Sequence, residues 1–476
     1  MVLILALLAT GATQHWVRGR HDSAVGRAAG AGVGTGSSLS NMNSFSLALL
    51  LGGLRGPLVM FLWMTSENQK NEKNLEDFDT RVEWIRLLQP EFDTVHIFQI
   101  WNKAYNISVQ MASLANKYTT ILDALDYAES VNKERPNNIN IVASIGGIYF
   151  DKLGGSAEKQ YYSRRVRAET LPHKPLQTLD RNDPAWRRLQ LDAVLDENGN
   201  LAGDGLKFEY LKKYEPFPYG LSPLAIGYEY YKQAQYLQNE KKQQHIQLSD
   251  LVIDSRPGLA LKVWSEDEWE RARRLELALF NKPVPEERID MEAPTAGVKL
   301  DQAPTDQMTP DAAAATLKEA MFSYALAARL ARDARGEYEE HLQRFDTNRF
   351  TYISHLDHLA AIEELIGGDH DYLAAMRATG DERAALIKSA AEHYRASIPL
   401  NQRMILRYYT DDSIAAGTGY NKNDLAKIPT DQYSGLLQRA KALIIARGAP
   451  YDAYAEDREE YEQYIERAEA RLKNLQ

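Results

Sequence analysis

Residues 136–162, PNNINIVASIGGIYFDKLGGSAEKQYY, contain the pattern that decides the fold of this 476-residue chain. Apolar side chains follow the opening proline at steps of three and four residues, at Ile141, Ile145, Ile148 and Tyr149. This is the period of an amphipathic α-helix. Gly154 and Gly155 then end the helix, because glycine is favoured at helix C-termini. The stretch predicts two successive helices, and with them an all-α fold.

The spacing within this stretch is that of a tetratricopeptide repeat, which is a pair of packed helices. Val142, Ile145, Gly146 and Tyr149 occupy the large, leucine, glycine and tyrosine positions of the first helix. Tyr162 follows at the aromatic position of the second helix. One repeat of this kind is therefore predicted in residues that directly follow a proline stop.

Helices with regular stops also precede this repeat. Residues 98–105, FQIWNKAY, are a looser copy of the motif, with Asn102 in place of the glycine. Pro90 and Pro136 lie 46 residues apart, against about 34 in the standard repeat, so this unit needs a longer helix or loop. We therefore predict a tetratricopeptide-like α-solenoid with long loops over residues 65–281. An irregular helical bundle is the alternative.

An apolar run further upstream, residues 45–64 (FSLALLLGGLRGPLVMFLWM), is long enough to be a transmembrane helix, since about 20 apolar residues cross the bilayer core. Arg55 lies at its centre, where a charge costs about 3 kcal/mol on insertion scales. Either the helix spans and Arg55 meets a carboxylate, a headgroup or water, or the run breaks at Gly56-Pro57 and a soluble domain begins at 58–64. We predict that the run is a single-pass anchor in the lipid bilayer.

The charges on either side of this run predict its orientation. Arg18, Arg20 and Arg27 precede it, whereas residues 67–79 carry five acidic side chains and two lysines. The positive-inside rule places the N-terminus in the cytoplasm and the C-terminal domain outside it. Residues 1–44 are predicted to be a disordered or targeting N-terminus. Their apolar start has no preceding basic residue, unlike a signal peptide, and a mispredicted start codon is the alternative.

Three stretches together resemble a known family: LGGLRGPLVMFLW (51–63), RVEWIRLLQPEF (81–92) and IWNKAYNISV (100–109). The chain is similar to uncharacterised bacterial single-pass membrane proteins, best represented in planctomycetes and described as tetratricopeptide-like. The resemblance covers roughly residues 47–280 and departs at Lys103. It implies a membrane location and a fold, but it implies no enzymatic reaction. It also implies a shared membrane segment and a Trp-Asn-x-Ala-Tyr-Asn motif, whose interaction candidates here are Arg55, Trp101, Asn102, Tyr105 and Asn106.

Turn residues dominate the centre of the chain. Residues 172–225 are rich in proline and glycine, which predicts a long ordered loop, and an Asn-Gly pair within them offers a short hairpin as the alternative. The Ser-Arg-Pro-Gly sequence at 255–258 predicts another loop. A helix is predicted over 264–280, opened by a capping box of Ser265 and Glu268.

Residues 282–311 hold five prolines and few large apolar side chains. They predict a Pro-rich linker, followed by a C-terminal helical domain over 312–476. The last helix in that domain, EDREEYEQYIERAEARLKNLQ (456–476), pairs opposite charges at helical spacing. This pattern predicts a solvated helix or a capping helix.

The best polar cluster lies within residues 355–371. Imidazole and carboxylate groups bind divalent metals, and a bound metal can make a nucleophilic hydroxide. The spacing is not that of His-Glu-x-x-His, so the alternative is a solvated face with polar contacts at helix ends. No catalytic residue and no cofactor is assigned. The candidate metal ligands are His355, His358, Asp369 and His370.

Composition narrows the classes of function. The chain has no cysteine, which excludes disulfides, thiolate zinc sites and cysteine nucleophiles. Its net charge of -10 argues against a nucleic-acid partner. We predict a membrane-anchored helical-repeat scaffold that binds protein partners in the cell envelope. A metal-dependent or carboxylate-pair hydrolase that uses the 355–371 cluster is the alternative.

Overall fold

A computed structural model describes residues 93–170, 194–195, 201–202, 208–280, 308–345, 349–408, 422–447 and 455–476. The predicted N-terminal segment 1–44 and the predicted transmembrane helix 45–64, with Arg55, lie outside these described residues. Within the described ranges, no helix combines the length and the apolar character needed to span a bilayer. The anchor therefore stays a prediction.

The described residues are helical, which confirms the all-α prediction, apart from one two-stranded hairpin. In that hairpin β1 (Val194–Leu195) pairs antiparallel with β2 (Leu201–Ala202), the alternative foreseen around the Asn-Gly turn. The helices are α1 (Asp93–Trp101), α2 (Leu114–Glu134), α3 (Ile139–Gly147), α4 (Lys159–Glu169), α5 (Pro223–Asn239), α6 (Asp250–Leu279), α7 (Pro310–Arg344), α8 (Arg349–Ala375), α9 (Gly380–Tyr408), α10 (Tyr433–Arg447) and α11 (Ala455–Asn474).

The chain divides into two compact units, 1–144 and 145–476. In the first unit, α1 continues through a π-helical segment, Asn102–Ile107, and packs against α2. Asp93, at the start of α1, connects this helix to the end of α2 and the start of α3. Its carboxylate accepts hydrogen bonds from the Asn138 and Asn140 side-chain amides at 3.0 and 2.8 Å, and Arg135 lies 2.6 Å from it.

In the second unit the long helices pack in chain order, from α5 against α6 through to α8 against α9, and α11 packs on α9. The connections between α7, α8 and α9 are short, so these helices form antiparallel hairpins. Helices α6 and α7 pack against each other although residues 282–311 separate them in sequence. The described parts of 145–476 therefore form one compact unit, which reaches across the linker predicted at 282–311.

Helix α6 also corrects the prediction for residues 255–280. It begins at Asp250 and runs through Pro257, so the predicted loop is helical and the predicted capping box lies mid-helix. The hydroxyl of Ser265 instead donates to the carbonyl of Ala327 at 2.8 Å. Burial of Pro257 and Gly258 against α7 outweighs their weak helix propensity.

Candidate functional site

A cavity of about 410 Å³ lies in the second unit. Helix α6 forms one wall, because Lys262, Glu266, Trp269 and Arg273 follow each other at steps of four, three and four residues and so share one face. The size is that of a small-molecule site. The other lining residues come from α4, α5, α6, α8, α9 and α11 and from the turn before α4: Gly154, Lys159, Leu224, Val263, Asp267, Glu270, Ser354, His355, His358, Tyr408, Glu460, Tyr461 and Tyr464.

A hydrogen-bonded chain crosses the cavity wall from α6 to α11. The Nε2 atom of His358 lies 2.8 Å from Glu266 Oε1, and its Nδ1 atom lies 2.7 Å from the Tyr461 hydroxyl. Burial alone would raise the pKa of Glu266, but Lys262, at 2.7 Å, and His358 hold it well below its usual value. Ionised Glu266 can only accept, so His358 Nε2 donates to it, and the Nδ1 atom of His358 pairs with the Tyr461 hydroxyl.

Two adjacent carboxylates on α6 differ sharply in their surroundings. Glu268 points away from the cavity and is fully buried; it accepts from Arg167 Nη2 at 2.6 Å and from Trp264 Nε1 at 3.2 Å. Asp267 faces the cavity, and its contacts to Arg167 and Ser222 are long, at 3.5 and 3.4 Å. Burial raises the pKa of Asp267, whereas Arg167 and Arg271 outweigh burial and lower that of Glu268.

His355 lines the same cavity and stacks on Tyr338, with ring centroids 5.1 Å apart. Burial, together with the nearby Lys262 and His358, lowers the pKa of His355 to about 4. The imidazole is therefore neutral at pH 7.

We expect His355 to make the protein acid-labile. Its folded pKa is below the unfolded value of about 6.5, so the stability it allows is complete above that pH and is lost as the pH falls towards 4. Between pH 7 and 5 the loss is about 2 kcal/mol. Urea unfolding of His355→Gln should show a loss smaller by that amount. Equal acid sensitivity of the variant and the wild type would contradict the assignment.

Beneath the cavity, α8 and α11 are joined by a fully buried ion pair. Asp369 on α8 accepts from Nε and Nη2 of Arg467 at 3.1 and 2.8 Å. It also accepts from the Tyr394 hydroxyl at 2.9 Å and from Trp269 Nε1 at 3.3 Å. Burial alone would raise the pKa of Asp369, but the two arginines of α11, Arg467 and Arg471, hold it below its usual value.

A second carboxylate, Glu276 on α6, completes this network. Arg471 donates to Glu276, and the Tyr324 hydroxyl donates to it at 2.6 Å. The guanidinium of Arg471 also lies over the ring of Tyr372, 4.1 Å from its centroid. Helices α6, α7, α8, α9 and α11 thus meet at one polar cluster, which we name the ionic network: Asp369, Glu276, Arg467, Arg471, Tyr324, Tyr394 and Trp269.

The four candidate metal ligands are not brought together. His355 and His358 line the cavity, Asp369 belongs to the ionic network, and His370 bonds to Asp371 at 2.9 Å. Within the described ranges, no group of three histidine or carboxylate side chains is placed to hold a metal ion. The four candidates thus belong to different sets of neighbours, and the metal site is not carried by a shared geometry among them.

The predicted interaction motif lies in the first unit, on the π-helical segment. Trp101 has 43% of its surface exposed and stacks on Tyr105 at 5.9 Å between ring centroids. Asn102 is buried and accepts from the Asn106 amide at 2.8 Å. The motif therefore separates into an outward aromatic pair and an inward amide pair.

The structure adds residues that the motif search did not single out, above all Glu266, Asp267 and Tyr461. In the sequence, the signal for these residues is the row of charged residues on α6 at helical spacing. The loop predicted at 255–258 and the helix cap predicted at Ser265 hid this row, because they break the helix that carries it. The partners on α11 lie about 200 residues further along the chain, and no local pattern links the two helices.

Comparisons with models of known protein families, with characterised proteins and with solved structures found no match for this chain. The resemblance to planctomycete-type membrane proteins therefore stays a prediction, and the case for function is built on the chain's own geometry.

Proposed function

We propose that this protein is a membrane-anchored helical scaffold that binds a protein partner in the cell envelope. The anchor is residues 45–64, with the N-terminus in the cytoplasm and the described helices outside it. The observation that supports the binding role is the Trp101–Tyr105 aromatic pair, stacked on the surface of a π-helical segment. We propose no nucleic-acid partner.

Three physical arguments favour the aromatic pair as a contact surface. π-Helical turns inside α-helices are rare and are enriched at functional sites. Tryptophan and tyrosine dominate the binding energy of protein interfaces. The hydrogen bond between buried Asn102 and half-buried Asn106 holds one turn of this segment, so the surface is pre-formed and loses little entropy on binding.

The tetratricopeptide-like architecture belongs to the same proposal. The glycine of the predicted motif, Gly146, allows a close approach: a β-carbon there would lie 3.0 Å from the ring of Tyr231 on α5. Tyr162, at the aromatic position of the second helix, is fully buried. The small residue thus permits close packing against α5, and the aromatic residue of α4 is buried, as expected for stacked helices.

The hydrolase alternative has less support. Its metal-dependent form needs a ligand group, and the described part of 355–371 offers ion pairs and hydrogen bonds in its place. We therefore propose no reaction at this cluster.

Trp101→Ala should reduce partner recovery at least tenfold while leaving the melting temperature within about 2 °C, because an exposed ring contributes more to an interface than to the fold. The measurement is crosslinking of tagged full-length protein in its own membranes, followed by mass spectrometry of what copurifies. Tyr236→Ala is the matched control, since this ring on α5 is 45% exposed and outside the motif. Unchanged recovery with Trp101→Ala would remove the motif from the proposal.

A further inference from the structure

We propose that the cavity beside α6 binds a small organic cation, a ligand with a primary ammonium group, and that Asp267 is its counter-ion. This inference concerns the 145–476 unit alone and does not depend on the scaffold role.

The first argument is the position of the Asp267 carboxylate. Its side chain is only 12% exposed, and Asp267 is one of the residues that line the cavity. Both of its hydrogen-bond contacts, to Arg167 and Ser222, are made by Oδ2 and are long. Oδ1 accepts no hydrogen bond from any residue in the described ranges, so one oxygen of a largely buried carboxylate is left for a ligand.

The second argument is that the cations of the described residues compensate Asp267 only in part. The Nη2 atom of Arg167 lies 3.5 Å from Asp267 but 2.6 Å from Glu268, so its charge is committed to Glu268. Lys262 contacts Glu266 at 2.7 Å, and Lys159 contacts Glu270 at 3.5 Å.

The remaining wall charges do not change this balance. Arg273 is fully buried and lies over the ring of Trp269, 6.0 Å from its centroid. The neighbours Glu268 and Glu270 add negative charge beside Asp267 and raise its pKa further, after burial. The Asp267 carboxylate is therefore a weakly compensated negative charge at this cavity, and the group that would complete its compensation is a cation.

The third argument is the aromatic part of the cavity lining. Tyr408 and Tyr461 stack with ring centroids 5.8 Å apart, and Tyr464 meets Tyr461 edge to face at 5.6 Å. Tyrosine faces attract ammonium groups and pack against the alkyl chain that carries them. A cavity of about 410 Å³ has room for a chain of several carbon atoms. Free amines and the lysine side chain of a peptide share this chemistry.

The adjacent carboxylate gives a contrast within one turn of helix. Glu268 has two charged partners and faces away from the cavity, as a structural carboxylate should. Asp267 shares only Arg167, at 3.5 Å, and lines the cavity. A largely buried carboxylate that contributes little to the stability of the fold is the pattern expected of a binding group.

The test uses purified full-length protein in detergent and three five-carbon probes: cadaverine, the neutral 1,5-pentanediol and the anionic glutarate. Isothermal titration should detect cadaverine only. Asp267→Asn should weaken that binding by about 10- to 100-fold, the effect of losing a charge-assisted hydrogen bond. The same variant should melt at the same temperature as the wild type or higher, because it removes a poorly compensated charge. Asp250→Asn, an exposed change on the same helix, should alter neither property.

Several results would overturn the proposal. They are cadaverine binding that Asp267→Asn leaves unchanged, binding of the diol or of glutarate as tight as that of cadaverine, and no cadaverine binding at millimolar concentration. If cadaverine binds, a lysine-containing tripeptide compared with its norleucine counterpart then shows whether a peptide side chain can be the source of the ammonium group. Loss of cadaverine binding with a lowered melting temperature would make Asp267 a structural residue.

Discussion

Asp369→Ala should lower the free energy of unfolding by about 3–5 kcal/mol, the cost of removing one partner from a buried ion pair. Asp369 and Arg467 have no exposed surface, so solvent cannot replace the lost carboxylate. The substitution leaves the guanidinium of Arg467 and the Tyr394 hydroxyl without their acceptor. Since this side chain joins α8, α9 and α11, we also expect α11 to detach first. Urea unfolding followed by tryptophan fluorescence and by hydrogen exchange measures both effects.

The matched control for this experiment is a surface ion pair. Glu392 is 64% exposed and lies 3.9 Å from Lys388, and pairs of this kind contribute less than about 1 kcal/mol. Glu392→Ala should therefore leave the unfolding midpoint almost unchanged. If Asp369→Ala were equally mild, the ionic network would be open to water and the packing of α11 would need a different explanation.

The fate of α11 shows what local sequence could and could not predict. Its charge pairs at helical spacing correctly predicted a helix, but the prediction of a solvated helix is wrong for one face. Tyr461, Tyr464, Arg467 and Arg471 are buried along a single stripe. Arginine on a helix is usually solvated, and it is buried here only because carboxylates about 100 and 195 residues away meet it. Pairings of that range have no local signature.

The same limit explains the errors at prolines. Pro257 and Pro399 both lie inside helices, although proline predicts a helix end. The Pro-rich stretch 282–311 predicted a boundary, yet α6 and α7 on either side pack along each other. Local propensity is worth a few kcal/mol, and burial of a 30-residue helix face outweighs it. At α3, and at Gly154 and Gly155 further along the same stretch, no tertiary contact opposes the local signal, and the predicted helix is confirmed.

The candidate sites divide in the same way. The motif from Trp101 to Asn106 is contiguous, so sequence alone could name its residues, and the structure adds which of them point outward. The cavity is assembled from α6, α8, α9 and α11, and its lining residues acquire meaning only through contacts across the fold. Asp267 in particular differs from Glu268 through distances that no sequence pattern contains.

Gly220→Ala should destabilise the second unit by more than about 3 kcal/mol, because two penalties coincide at this residue. Its φ of +77° lies in the left-handed region, which costs a non-glycine residue about 1–2 kcal/mol. A β-carbon would also overlap the carbonyl oxygen of Arg167 and lie 2.7 Å from its carbonyl carbon. This contact closes the chain after the long 171–207 stretch, where Leu221 N donates to the Thr170 hydroxyl at 2.7 Å.

Gly336→Ala is the control that separates this steric effect from a general effect of adding a methyl group. Gly336 lies within α7, and a β-carbon there meets no atom within 4 Å. Alanine should therefore stabilise the helix by about 0.5–1 kcal/mol. Thermal unfolding of the two variants should shift in opposite directions. A Gly220→Ala protein that melts with the wild type would mean that residues 217–221 can move away from α4, and that the return of the chain at Thr170 does not stabilise the unit.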